Sequence, residues 1–203
     1  MAYSDFTTIR QVEKQFGVRQ IRKQVFTDVK QTLPSPRLLE ELQEAEDLPL
    51  FSEKAKSELI IMPILKEIRR KNRTFNIFSG YAFDVDKAQS LNGICDYILS
   101  SNLESIEIKS PIFCLVEAKN KTIEEGIGQA AAEMIAAKLF NEQDSKELPA
   151  VYGCVTTGTE WLFLLLEDKN LYIHSHRYYL NETDLPKILG ILVYIVEQSV
   201  KEI

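Results

Sequence analysis

The run Ile112-Phe113-Cys114-Leu115-Val116-Glu117-Ala118-Lys119 limits the possible folds more than any other stretch of the chain. Five apolar residues lead up to a glutamate, and a lysine follows two places later. An apolar run of this length, opened by Pro111 and closed by Asn120, predicts a buried central strand. Side chains alternate along a strand, so Glu117 and Lys119 should leave the same face of the sheet. Folding does not need a carboxylate and an ammonium side by side at the end of such a strand. The pair points to a site.

The flanking patterns predict what surrounds that strand. Phe6, Ile9, Val12 and Phe16 recur at helical spacing until Gly17 interrupts them, and a basic stretch with Arg19, Arg22, Lys23 and Lys30 follows. Pro34-Ser35-Pro36 breaks the chain before a short acidic helix over Arg37 to Ala45. Ser52 is a candidate N-cap for a longer helix carrying Ala55, Leu59, Met62 and Leu65, within which Pro63 implies a kink or change of register. Glu58 on this helix reads either as a solvated side chain or as a carboxylate turned inward. From Phe75 to Asp86 the period drops to two, and Leu91-Asn92-Gly93 makes a turn into a second strand, Ile94 to Leu99. Asp96 is a charge inside that apolar strand, either guarding a sheet edge or reaching a site.

Ser100 to Ser110 should close a hairpin onto the Ile112–Lys119 strand, bringing Asp96 and Glu117 within reach of one metal ion. Thr122 then caps a helix over Ile123 to Phe140, where Gln129 and Glu133 stand four apart on one face. Strands follow at Ala150 to Thr157, Trp161 to Leu166 and Leu171 to His174, and a C-terminal helix opens at Asp184. The order predicts an α/β protein, helices sandwiching a mixed sheet.

Composition narrows the class. The chain has 203 residues, enough for one core, and no apolar run near the ~20 residues that span a bilayer, so no membrane role is expected. Met1 to Asp5 shows no secretory pattern, and Cys95, Cys114 and Cys154 lack CxxC spacing and read as buried free thiols, so a cytoplasmic location is expected. The net charge of −6 argues against broad adhesion to nucleic acid but leaves room for a local basic groove.

Two carboxylates on neighbouring strands, Asp96 and Glu117, offer hard oxygen ligands suited to Mg²⁺ or Mn²⁺, and the backbone carbonyl of Ala118 could add a third oxygen. A metal held there would activate water against a phosphodiester, with Lys119 orienting the water or offsetting developing charge. His174 and His176 could pair on a strand face, but no third ligand lies near in sequence. Trp161 and Phe163 could stack on bases, although their period-2 spacing favours the core.

Gly93-Ile94-Cys95-Asp96-Tyr97-Ile98-Leu99, then Val116-Glu117-Ala118-Lys119, then Gly128-Gln129 on the next helix, together resemble the PD-(D/E)XK nuclease superfamily. The resemblance covers roughly residues 52–166, and Cys95 stands where the motif often has proline. It implies a restriction-endonuclease-like α/β/α core with a mixed sheet flanked by helices. It assigns metal binding to Asp96 and Glu117 and catalysis to Lys119, with support from Gln129. Glu58 matches the acidic residue that many members carry on the preceding helix.

Residues 1–51 resemble the helical N-terminal part of a bacterial, especially cyanobacterial, group of this fold. The implied organisation is an N-terminal helical extension, 1–51, and a nuclease-like domain, 52–203. The implied function is metal-dependent hydrolysis of nucleic acid, DNA above all, by a chain that could act as a homodimer. The alternative is an inert nuclease fold serving as an interaction or nucleic-acid-binding module. A nucleic-acid groove would need cations from Arg19, Arg22, Lys23, Lys66, Arg69, Arg70, Lys71 or Arg73 clustered on the Glu117 side.

Overall fold

The run 112–119 forms a strand buried along its whole length, Ile112–Ala118 (β4), and the sheet is built outward from it. A computed structural model describes residues 2–201, with side chains through residue 199. On one side β4 pairs antiparallel with Ile94–Ser100 (β3), which pairs antiparallel with Asn76–Ala82 (β2). On the other side β4 runs parallel to Val151–Thr156 (β5). A parallel neighbour requires a crossover, and the helix Glu124–Gln143 (α5) supplies it.

Glu160–Glu167 (β6) and Asn170–His174 (β7) continue antiparallel from β5, and Arg19–Lys23 (β1) closes the far edge parallel to β7. The order is β1-β7-β6-β5-β4-β3-β2, with Tyr178–Tyr179 (β8) pairing to β6 as the eighth strand. The sheet is therefore mixed, and the protein is α/β.

Helices cover both faces. On one face α5 lies directly over β4 and β5, its Ala130-Ala131-Ala132 run allowing close approach. The turn Tyr3–Asp5 and the helix Ile9–Phe16 (α1) pack on the outer side of α5. On the other face lie Pro36–Glu46 (α2), the segment Glu53–Lys56 (α3), Met62–Lys71 (α4) and Leu185–Lys201 (α6). Ser52 does cap α3, its hydroxyl accepting the Ala55 N–H at 3.0 Å. The disturbance expected at Pro63 is a π-helical turn at Ser57–Ile61, just before the proline, which then sits in the first turn of α4.

The N-terminal 51 residues differ from the expected helical extension. Among the described residues the helical parts there are α1, α2 and the 3-10 turn Tyr3–Asp5, and the basic stretch after Gly17 is the edge strand β1. Tyr3, Phe6, Val12 and Leu38 are buried in the same two cores as the sheet. Gly17 makes the change of direction by taking the left-handed conformation that ends α1, with φ of 67°. Trp161 and Phe163 are wholly buried, with the indole N–H donating to the Gly158 carbonyl, so both belong to the core.

Candidate functional site

Strand register assembles the site. Ile98 faces Leu115 and Tyr97 faces Val116, so the next step of the ladder sets Asp96 beside Glu117. Because β3 lies between β2 and β4, Asp96 is not guarding an edge. Its Oδ2 accepts the Ala118 N–H at 2.8 Å, which fixes the carboxylate against the β4 backbone. Glu117 is 1% exposed, and its Oε1 accepts from the Lys119 ammonium in a close ion pair. The other oxygen, Glu117 Oε2, is buried and has no hydrogen-bond partner.

The next shell comes from α5. Gln129 Oε1 accepts from Lys119 Nζ at 3.1 Å, and Gln129 Nε2 donates to Glu133 Oε1 at 3.1 Å. Glu133 is completely buried, and its Oε2 also lacks a partner. Sequence reasoning noted Glu133 only as a neighbour of Gln129 on the helix face. The missed signal is the spacing Gly126, Gln129, Glu133, three residues and then four on one helical face.

The electrostatics follow from burial. Burial drives the Glu117 carboxyl well above the ordinary range; the Glu133 and Asp96 charges add to this, and Lys119 only partly offsets it. Burial pushes Glu133 up to about 8. Asp96 is also raised, first by burial and then by the charge of Glu53, against the opposing Ala118 bond. For Lys119 burial favours the neutral amine, but the charge and hydrogen bond of Glu117 prevail and raise it. Two carboxylates side by side are thus poorly compensated by protein groups alone.

A cavity of about 350 Å³ opens beside Asp96, lined also by Glu53, Lys54, Ser57, Glu58, Ser79 and Tyr97. The Tyr97 hydroxyl donates to the Ser57 carbonyl at 2.8 Å, tying the π-helical turn to β3 next to Asp96. Glu58 lines this cavity, but it is exposed and lies 3.8 Å from Lys54. The carboxylate of that helix whose charge acts on both Asp96 and Lys119 is Glu53, one turn earlier.

Most of the expected cations are elsewhere. Arg19, Arg22 and Lys23 lie on β1, four strands from β4, on the order of 19 Å at the usual strand spacing. Arg69, Arg70, Lys71 and Arg73 lie at the far end of α4 and beyond it, where β2 begins opposite Ser100 rather than Asp96, and Lys66 sits mid-helix, one turn after the cavity-lining Met62. Of these, Arg70 and Lys71 are paired with Glu67. Lys54 lines the cavity beside Asp96, and the Lys56 ammonium donates to the Asn120 carbonyl just after β4. His174 and His176 do not form a ligand pair: His174 is buried and takes the Val25 N–H on Nδ1 at 3.0 Å, while His176 is exposed.

Hard carboxylate oxygens, one of them buried and unpartnered, fit Mg²⁺ or Mn²⁺. The set is small. Among the described residues no group of three or more His, Cys, Asp or Glu is placed to hold a metal ion. Asp96 and Glu117 would therefore leave most coordination positions to water, substrate or backbone oxygen. Among the described residues no helix is long and apolar enough to cross a membrane. No protein-family model matches the sequence, and a search of curated proteins finds no match.

Proposed function

We propose that this protein is a divalent-metal-dependent nuclease that hydrolyses phosphodiester bonds, with DNA as the substrate. The observation that carries the reading is the pairing of Asp96 with Glu117, whose buried Oε2 accepts from no protein N–H or O–H donor, beside the Lys119 ammonium. Mg²⁺ or Mn²⁺, when bound, would supply Lewis-acid polarisation of the phosphate and a water acidic enough to attack at neutral pH. Asp96 and Glu117 are the residues that would hold it, with the Ala118 carbonyl as a backbone candidate. The Ala118 N–H orients Asp96, leaving its second oxygen for the ion.

Lys119, on the same strand face, is placed to donate to a phosphate oxygen or to orient water as negative charge builds. Gln129 holds that ammonium in place. Lys54 and Lys56 are available for flanking phosphates, and Glu58 would meet substrate only at the cavity rim. A two-fold pair of chains would let two such sites address the two strands of a duplex. The motif resemblance to the PD-(D/E)XK nucleases supports the same chemistry.

A second reading, an inert nuclease fold used for protein contact, draws on the remoteness from the site of the cations on β1 and at the end of α4. Calorimetry with Mn²⁺ and Mg²⁺ separates the two when run alongside cleavage of plasmid and of single- and double-stranded oligonucleotides. Wild type should bind metal and cut, whereas Asp96→Ala and Glu117→Ala, shown folded by circular dichroism, should lose binding and at least about 10³-fold in rate. A wild type that neither binds millimolar metal nor cuts any substrate rejects the nuclease and leaves the contact module.

A further inference from the structure

The first turns of α5 do more than cover the sheet. Gly126, Gln129 and Glu133 share one face of the helix, and each bears on the lysine of the site. A Cβ at position 126 would lie 2.6 Å from Val155 Cγ1 and 3.0 Å from Lys119 Cγ, so only glycine leaves a channel for the lysine stem. At the head, Gln129 Oε1 accepts from Lys119 Nζ. A glutamine amide can turn either its oxygen or its nitrogen toward a neighbour. An ammonium needs the oxygen, and the arrangement holds only if the amide nitrogen has an acceptor behind it. Glu133 Oε1 is that acceptor.

Packing gives no reason for Glu133. It follows Ala130, Ala131 and Ala132 in sequence and is fully buried beside the Glu117 carboxyl and the Cys95 thiol, and its second oxygen accepts from no N–H or O–H donor. An apolar side chain would avoid the desolvation that such a group costs.

We infer that Glu133 is a positioning residue for Lys119. By accepting from Gln129 it fixes the amide with its oxygen toward the ammonium, while Gly126 leaves the slot through which the lysine reaches it. The inference rests on Lys119 acting in the proposed reaction. The geometric link itself requires neither metal nor nucleic acid, and the required property of residue 133 is an accepting oxygen, not a charge.

The test uses protein labelled with ¹⁵N at lysine. An ammonium held by two acceptors exchanges slowly enough to give a resolved signal, assigned to Lys119 by its loss in Lys119→Arg. Glu133→Leu, which removes the acceptor, should shift or broaden that signal, and Glu133→Gln, which keeps a carbonyl oxygen, should restore it. In cleavage assays Glu133→Leu should lower kcat about tenfold at nearly constant KM, with Glu133→Gln within about threefold of wild type.

Because Glu133 acts through Gln129, the Glu133→Leu effect should vanish in a Gln129→Leu background. An unchanged Lys119 signal in folded Glu133→Leu overturns the inference, as does an effect that persists without Gln129. If Glu133→Leu does not fold, Glu133→Asn gives the same readouts, since its oxygen is withdrawn by one methylene from Gln129. A signal that responds as expected in a protein that cuts nothing would sink the nuclease and leave the lysine holder standing.

Discussion

Glu67 and Glu117 are both buried glutamates, 2% and 1% exposed, and the protein treats them in opposite ways. Glu67 joins α4 to the start of α2. It accepts from the Ser35 N–H at 3.1 Å and the Ser35 hydroxyl at 2.9 Å, with Arg70 and Lys71 each 3.2 Å away. Burial is the strongest single influence on its carboxyl and acts upward, but the Ser35 and Lys71 hydrogen bonds together hold it below the usual range. Glu117 has one ammonium and one oxygen with no partner, and its carboxyl is driven well above that range. A carboxylate that folding uses is fully bonded. Glu117 is not bonded in that way, and the proposed metal site rests on the difference.

The comparison yields predictions that fall in order of size. The largest concerns rate: Glu117→Gln should abolish metal-dependent cleavage by about 10³-fold or more, while Glu67→Gln, per folded molecule, should cut like wild type. Equal losses in both variants would erase the distinction. Stability should show the reverse. In urea denaturation at pH 7, Glu67→Ala should lose about 2–3 kcal/mol, since it strips the Ser35, Arg70 and Lys71 bonds at once. Glu117→Gln should be neutral or gain up to about 1 kcal/mol, because it removes a poorly compensated buried carboxyl.

The pH dependence of these differences sharpens the contrast. Glu67 has a lowered folded pKa, so its contribution is complete above the ordinary carboxylate range and is lost as pH falls through the folded value. Glu117 has a raised folded pKa, so its cost is present at neutral pH and disappears as the solution is acidified. The Glu67→Ala deficit should therefore shrink only in strong acid. Any Glu117→Gln advantage should already narrow between pH 7 and 5, measured by denaturation at each pH.

The smallest effect is expected at His174, where burial first and the charge of His176 second keep the imidazole pKa below its ordinary value. Its Nδ1 accepts from Val25, so protonation both charges a buried ring and ends that bond. Stability should be complete above the unfolded pKa and decline as pH falls below about 6.5 toward the lowered folded value. Faster amide exchange at Val25 and Phe26, before the rest of the sheet, would report it.

These contrasts were unevenly visible in the sequence. The β4 strand was legible from its unbroken apolar run, and the nearness of Asp96 to Glu117 from the hairpin that joins β3 to β4. The expected helix over Ile123 to Phe140 became α5 with its ends shifted by a few residues. Glu133 was not legible as a site residue. Helix α5 is covered on both sides, by the sheet and by α1 with the Tyr3–Asp5 turn, and a single glutamate in a chain of alanines looks solvated until that second layer is known.

Glu58 stands out in the sequence by its apolar flanks and by the resemblance, whereas the charge acting on Asp96 and Lys119 comes from Glu53. The π-helical turn at Ser57–Ile61 breaks the regular helix and rotates the flanking helical faces relative to each other. Strand β1 was illegible for another reason. Arg19 to Lys23 holds a single half-buried apolar residue, Ile21, so its extended state is imposed by β7 and not by its own pattern.

That dependence of β1 on β7 governs the order in which the molecule can be made. The two strands are about 150 residues apart in the chain, among the most distant pairings the sheet contains. As the chain leaves the ribosome, Arg19 to Lys23 emerges early and has nothing to pair with until β6 and β7 have been synthesised. Asp96, Glu117, Lys119, Gln129 and Glu133, by contrast, all lie between residues 96 and 133, much closer together in the chain. Until the first strand returns to it, β7 presents an open edge of the kind that a second chain can pair with.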